Sequence, residues 1–347
     1  NMAEKLEAQA VLASGVLVLV CTFLVFGGTF FKRKRAEWSN LGKTLRLSDG
    51  RVLGYRIYGA DPAKAGLKII FLHGAPGSCH ELCPQEDILI TRDICVVAID
   101  RTGYGLSTAR PGRRLLDISD DINELLKHLQ WGAFCLIGFS SGAPYAHAVV
   151  HSFGPRVLFC TIVSGDGEWA RYPEKLLAQC FQKLPAARMI GVPPRALALG
   201  IVKLAMRCEK LLFLCSPTAA VRRTYGRLAD TSPEMSNMLL TSLQSVYASG
   251  DLGAAVAQDL LLERQPWEFS LNLECEYSLW HGRKDKVTPL TVSEWVCSQL
   301  KGCPIHVIEN AGHCMHLRPD IWTQILDEIK REVTLESGQA YQWGAEA

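Results

Sequence analysis

Gly138-Phe139-Ser140-Ser141-Gly142 stands where an apolar run, Ala133 to Ile137, gives way to a helical pattern starting near Ala143. A serine at such a strand-to-helix junction sits on a turn so tight that its neighbours must be small, and its hydroxyl is presented at the edge of a sheet. A hydroxyl is a poor nucleophile at neutral pH, so it needs a histidine to take its proton and a carboxylate to hold the imidazole in the right tautomer. Both residue types occur late in the chain, each just after a strand-like run: Asp285 within His281 to Pro289, and His313 after Asn310-Ala311-Gly312. The pattern therefore predicts Ser140 as nucleophile, Asp285 as orienting acid and His313 as general base. His316 is the rival base and Asp166, in Ser164-Gly165-Asp166-Gly167, the rival acid. His147 and His151 lie on the helix after the serine and read as packed or solvated.

Acyl transfer also needs donors for an oxyanion. The first backbone N–H groups of the helix after Ser140 point at the place where that charge forms, which makes Ser141 the first donor. The second is Ala75, in His73-Gly74-Ala75-Pro76-Gly77-Ser78, whose small residues let the backbone come close to a substrate; His73 reads as a structural hydrogen-bonding residue beneath it. The 13 cysteines show neither a C-x-x-C pair nor a Cys/His set at zinc-ligand spacing, so no metal is implied, and no organic cofactor either. They read as free thiols in a reducing compartment.

The elements that must position these residues are legible in the apolar pattern. Alternation across Leu41 to Tyr58, around Ser48-Asp49-Gly50, predicts an antiparallel hairpin. Short apolar runs follow at Lys68 to Leu72, Cys95 to Ile99, Ala133 to Ile137, Val157 to Val163, Tyr277 to Trp280 and Ile305 to Ile308. They alternate with helical stretches at Ile118 to Leu129, Ala143 to Phe153, Thr291 to Leu300 and Asp320 to Val333, the signature of a mainly parallel sheet with helices on both faces. The expected organisation is a membrane anchor and basic flank (1–35), a core in two parts (36–164 and 274–333) split by a helical cap (165–273), and a polar tail (334–347).

Residues 11–31 carry no charge and are long enough, as a helix, for the hydrocarbon of a bilayer. Lys32, Arg33, Lys34 and Arg35 follow at once, so the positive-inside rule puts the rest of the chain in the cytosol of a single-pass protein; a cleaved signal peptide and a buried N-terminal helix are the alternative readings. A formal charge of +2 with no basic domain excludes nucleic acid as a partner. Nothing in the sequence sets the oligomeric state.

Together these motifs closely resemble the α/β-hydrolase superfamily over roughly residues 44 to 333, in its proline iminopeptidase-like and lipase or esterase-like branches. Further matches are Asp100-Arg101-Thr102-Gly103-Tyr104-Gly105-Leu106-Ser107 and Asp49 to Tyr55. The resemblance implies an eight-stranded sheet with a variable helical cap over the site. The sequence H-G-A-P-G departs from the H-G-G-P-G of the iminopeptidases, and although Asp166, Glu168 and Glu174 are available for amine recognition, nothing singles them out. A serine nucleophile sets aside the dehalogenase and epoxide-hydrolase relatives, which need a carboxylate there.

The expected activity is cleavage of carboxylic esters, including lipid-like or thioesters, with an iminopeptidase-like amidase as the alternative and a ligand receptor with little turnover as a reading from another class. Arg195 to Leu214 is apolar yet carries Lys203, Arg207 and Lys210 on one face. That face suits solvent above the active site or, alternatively, an anionic leaflet.

Overall fold

The computed structural model describes residues 42–336 apart from 83–85, 184–194, 227, 229–230, 250–251 and 301. Eight strands form one sheet: β1 (Lys43–Arg46), β2 (Val52–Gly59), β3 (Leu67–Leu72), β4 (Ile94–Ile99), β5 (Phe134–Phe139), β6 (Val157–Val163), β7 (Tyr277–Gly282) and β8 (Ile305–Ile308). Their spatial order is β1-β2-β4-β3-β5-β6-β7-β8. The hairpin β1–β2 is antiparallel and β2 joins β4 antiparallel, whereas every pair from β4 to β8 is parallel.

Every residue of β3, β4, β5 and β7 is buried, which is why these strands read as continuous apolar runs rather than alternating ones. Helices cover both faces. On one lie α2 (Ile118–Leu129), α3 (Ala143–Phe153) and α9 (Leu290–Gln299), whose Leu125, Val149 and Val292 join Ile70 and Leu136 in one core. On the other lie α1 (Glu86–Thr91) and α10 (Pro319–Glu336), whose Leu89, Trp322 and Ile325 pack with Phe71 and Ile137. The six residues of α1 are too few for a helical period to show in the sequence, and the expected helix list omitted them. At the other end α10 continues through Glu336, three residues past the expected end of the core at 333.

Between β6 and β7 the chain forms α4 (Glu174–Lys183), α5 (Arg195–Cys215), α6 (Pro217–Tyr225), α7 (Pro233–Ala248) and α8 (Leu252–Arg264). Helix α5 leaves Lys203 and Arg207 exposed beside Ile201 and Leu204, while Lys210 is half-buried. Among the described residues no helix is long and apolar enough to cross a membrane. The expected anchor at 11–31 and its basic flank lie outside the described residues, as does 337–347.

Because the strands from β4 to β8 run the same way, the loops leaving β3, β4, β5, β6, β7 and β8 emerge on a single rim. The register pairs Leu72 with Gly138 and Phe139 with Val163, bringing the loop after β3 and the one after β6 beside Ser140. Residues far apart in sequence meet there.

Candidate active site

Ser140 follows β5 directly and opens a single 3₁₀ turn, Ser140–Gly142, that runs into α3. Its φ is 52°, in the left-handed region that costs a residue with a Cβ on the order of 1 kcal/mol or more. Small neighbours make the turn possible. A Cβ on Gly142 would collide with the carbonyl oxygens of Leu72 and His73, and one on Gly138 would lie 2.8 Å from the Cβ of Ala146. Backbone cannot yield to the first of these, so Gly142→Ala is expected to cost about 3 kcal/mol of stability, read as a lowered urea midpoint at unchanged slope.

The loop after β8 brings His313 to the serine, with Nε2 2.9 Å from Ser140 Oγ. The other ring nitrogen, Nδ1, lies 2.8 Å from Asp285 Oδ2 in the loop after β7. Asp285 is held in turn by the backbone N–H groups of Val287 (2.7 Å) and Thr288 (3.0 Å), which donate to its Oδ1. Burial pushes the Asp285 carboxyl up, but the hydrogen bond and charge of His313 and those backbone donors outweigh it, and its pKa is lowered. An ionised carboxylate at Nδ1 keeps that proton on Nδ1, leaving Nε2 free to accept one from the hydroxyl.

With both nitrogens of His313 engaged, neither rival has a place in the line. Asp166 is buried beside the pair, where loss of solvent pushes its carboxyl up to about 6. His316 is fully buried and packs against Phe139 with ring centroids 4.0 Å apart and the planes tilted by 42°; burial lowers it to about 3, so it stays neutral. His147 is buried with Nδ1 3.2 Å from the Tyr277 hydroxyl, and His151 is exposed and stacks on Phe269.

Ala75 sits half-buried in the loop after β3. This loop approaches the serine closely: a Cβ on Gly74 would stand 3.1 Å from that of Ser140. Its carbonyls are turned elsewhere, because Arg101, after β4, donates from Nε to the His73 carbonyl and from Nη2 to the Gly74 carbonyl, each at 2.9 Å. The Arg101 N–H donates to His73 Nε2 at 3.0 Å, so the His73 proton is on Nδ1 and goes to the Gly74 carbonyl at 2.7 Å. Ser141 is buried, as is Glu263 on α8, whose carboxyl burial pushes up to about 8. Among the described residues no group of His, Cys, Asp and Glu could hold a metal ion, and each described cysteine is a free thiol.

The sequence profile of the alpha/beta hydrolase family matches residues 69–323, which spans all the loops just described. The chain belongs to the alpha/beta hydrolase family. It is similar to a serine hydrolase-like protein of Dictyostelium discoideum, 33% identical over 94 residues that make up 26% of each chain. An uncharacterized hydrolase of Bacillus subtilis is 28% identical over 122 residues, 35% of this chain and 41% of that one. The chain thus spans well under two thirds of the length of these curated relatives. Among solved structures, an esterase from Exiguobacterium antarcticum superposes with a TM-score of 0.59 at 19% identity, covering 84% of this chain and 99% of that one, a likeness of fold.

In this alpha/beta hydrolase the inserted helices are tied to the loops on the rim by polar groups that the sequence reading did not pick out. Asp259 on α8 is fully buried and accepts from Arg101 (2.6 Å), Tyr104 (2.7 Å), Tyr145 (2.6 Å) and Arg113. Glu81, buried beneath the loop after β3, accepts from the hydroxyl of Tyr225 on α6 at 3.2 Å. Ser78 in the same loop lies 3.2 Å, hydroxyl to hydroxyl, from Ser242 on α7. Each of these residues sits at an ordinary polar position of a helix or loop, and only the tertiary partner gives it meaning.

Burial pushes Glu81 up to about 8, against the pull of the Tyr225 hydroxyl. A carboxyl whose folded pKa is raised lends stability that is whole below its unfolded pKa and is lost as pH rises through the folded value. Glu81→Gln, which resembles the protonated form, should therefore gain on the wild type in melting temperature between about pH 4.5 and pH 8 and hold that gain above. Thermal melts at four pH values across this window check it. A gap between the two proteins that stays constant with pH would contradict the assignment.

Proposed function

We propose that the chain is a serine hydrolase that cleaves carboxylic esters through an acyl-enzyme on Ser140. His313 Nε2 takes the Ser140 proton as Oγ attacks the ester carbonyl, the N–H groups of Ala75 and Ser141 receive the oxyanion, and the same proton passes to the departing alcohol. Water then attacks the acyl group with His313 again as base, releasing the acid and restoring the serine. Asp285 holds the imidazole and steadies its charge. The observation that carries this reading is the unbroken hydrogen-bonded line from Ser140 Oγ through His313 to Asp285.

Ester cleavage is favoured over the aminopeptidase alternative by the state of two of the three acidic side chains named for it. Glu174 is exposed, and Glu168 is taken by the Trp267 N–H at 2.8 Å and by Arg171 at 3.2 Å. Helices 165–273 act as the cap, and residues 11–31 tether the domain to a membrane, where lipid-like esters are at hand. A fluorophosphonate probe tests the nucleophile: the wild type becomes labelled and Ser140→Ala does not, whereas labelling of the variant would remove Ser140 from the role. p-Nitrophenyl esters of rising chain length beside aminoacyl-naphthylamides separate esterase from peptidase. Retention in the pellet after carbonate extraction, lost on deleting 11–31, tests the tether.

A further inference from the structure

A cavity of about 400 Å³ opens beside His313, between α6 and the loops after β7 and β8. Such a volume suits a small organic group. His313 lines it and Ser140 does not; the other walls include Lys284, Lys286, Asn310, Tyr225 and Arg318. Under the ester-cleaving reading above, on which this inference rests, the base hands its proton to the departing alcohol. The part of a substrate that lies on the His313 side, away from Ser140, is therefore the alcohol.

The charges around the cavity do not cancel. Arg318 is paired with Asp320 at 2.6 Å, and nearby Arg283 with Glu309 at 3.0 Å, so these four add to nothing. Lys284 donates to a neutral partner, Asn310 Oδ1, at 2.9 Å, and neither it nor Lys286 has a carboxylate within ion-pair distance among the described residues. Counted with the ionised Asp285 that lies between them in sequence, the two exposed ammonium groups leave one net positive charge at the mouth. A phosphate monoester carries about −1.5 to −2 at neutral pH, and lysine binds it as a compact point charge without needing a fixed fork geometry.

We propose that this cavity receives the alcohol portion of the ester and that Lys284 and Lys286 select alcohols bearing a phosphate monoester. The natural substrate is then an acyl ester of a phosphorylated alcohol, and the product beside the acid is the free phosphorylated alcohol. The phosphate itself takes no part in bond making or breaking; it is held while the ester C–O bond is cleaved at Ser140.

The test compares one acyl group on glycerol and on glycerol 3-phosphate, using the full chain as wild type and as the double variant Lys284→Gln/Lys286→Gln. The wild type should show kcat/KM for the phosphate ester at least about tenfold above that for the glycerol ester. The double variant should lose about tenfold on the phosphate ester while the glycerol ester changes by less than about twofold. Raising salt from about 50 to about 300 mM should reproduce the loss on the phosphate ester alone, because exposed charges are screened over that range. Equal rates on the two esters in the wild type, or a parallel loss on both in the variant, overturns the proposal while leaving ester cleavage intact. Absence of Ser140-dependent turnover of the plain glycerol ester sinks the parent reading and this inference together.

Discussion

Ser140→Ala is expected to lower kcat on a p-nitrophenyl ester by about 10⁶-fold, and His313→Ala by a similar factor. In the proposed mechanism the two side chains act as one device: without the hydroxyl, the base at 2.9 Å has no proton to take, and without the base the hydroxyl is not activated. The double variant should therefore be no slower than either single one. Losses that multiply would mean that the two groups act independently, and the acyl-enzyme reading would fall. Asp285→Asn should cost less, about 10⁴-fold, since it leaves the ring in place but reverses the proton preference of Nδ1. None of this should come from unfolding. Alanine at residue 140 meets the same backbone strain at φ 52° as serine does, so the melting temperature should stay close to that of the wild type. Stoichiometric titration with the fluorophosphonate sets the limit on contaminating wild-type enzyme.

Much of this arrangement follows from patterns a few residues long. The runs at β3, β4 and β5 are apolar throughout because both faces of each strand are covered. Gly138 and Gly142 flank Ser140 because neighbouring backbone occupies the space a side chain would fill. Parallel strands then bring the loops after β5, β7 and β8 to a common rim, and the loop positions of Asp285 and His313 fall on it. What escaped is of a different kind. Glu81, Asp259 and Glu263 look like polar residues turned to solvent, yet all three are buried, and each takes its character from a partner on a remote element. Arg101 lies within the Asp100 to Ser107 motif, but its grip on the His73 and Gly74 carbonyls depends on a helix about 160 residues further on, and no local spacing encodes that.

Asp259→Ala should destabilise the fold by about 3–5 kcal/mol, the cost of leaving buried charges without their counter-ion. The carboxylate is completely buried and is shared by two guanidinium groups, Arg101 and Arg113, that are themselves almost wholly buried. Replacing it strands both cations and leaves the Tyr104 and Tyr145 hydroxyls without their acceptor. Although burial alone pulls the other way, the two arginines hold the Asp259 pKa down to about 2. For a group whose folded pKa is depressed, the stabilisation is present above the unfolded value and disappears as pH falls through the folded one. The deficit of the variant should accordingly be full at pH 7 and shrink between about pH 4 and pH 2, which urea titrations at several pH values would register. There is a second consequence, separable from the first. Arg101 released from Asp259 has less reason to keep its hold on the carbonyls of residues 73 and 74, so the loop that carries Ala75 loses its fixed orientation. In the fraction of the variant that remains folded, kcat should fall more than KM rises if Ala75 serves as the proposed oxyanion donor, because such a donor is felt mainly in the transition state. A folded variant with unaltered kcat would restrict Asp259 to stability, and a loss below about 1 kcal/mol would show that the buried cations find other partners.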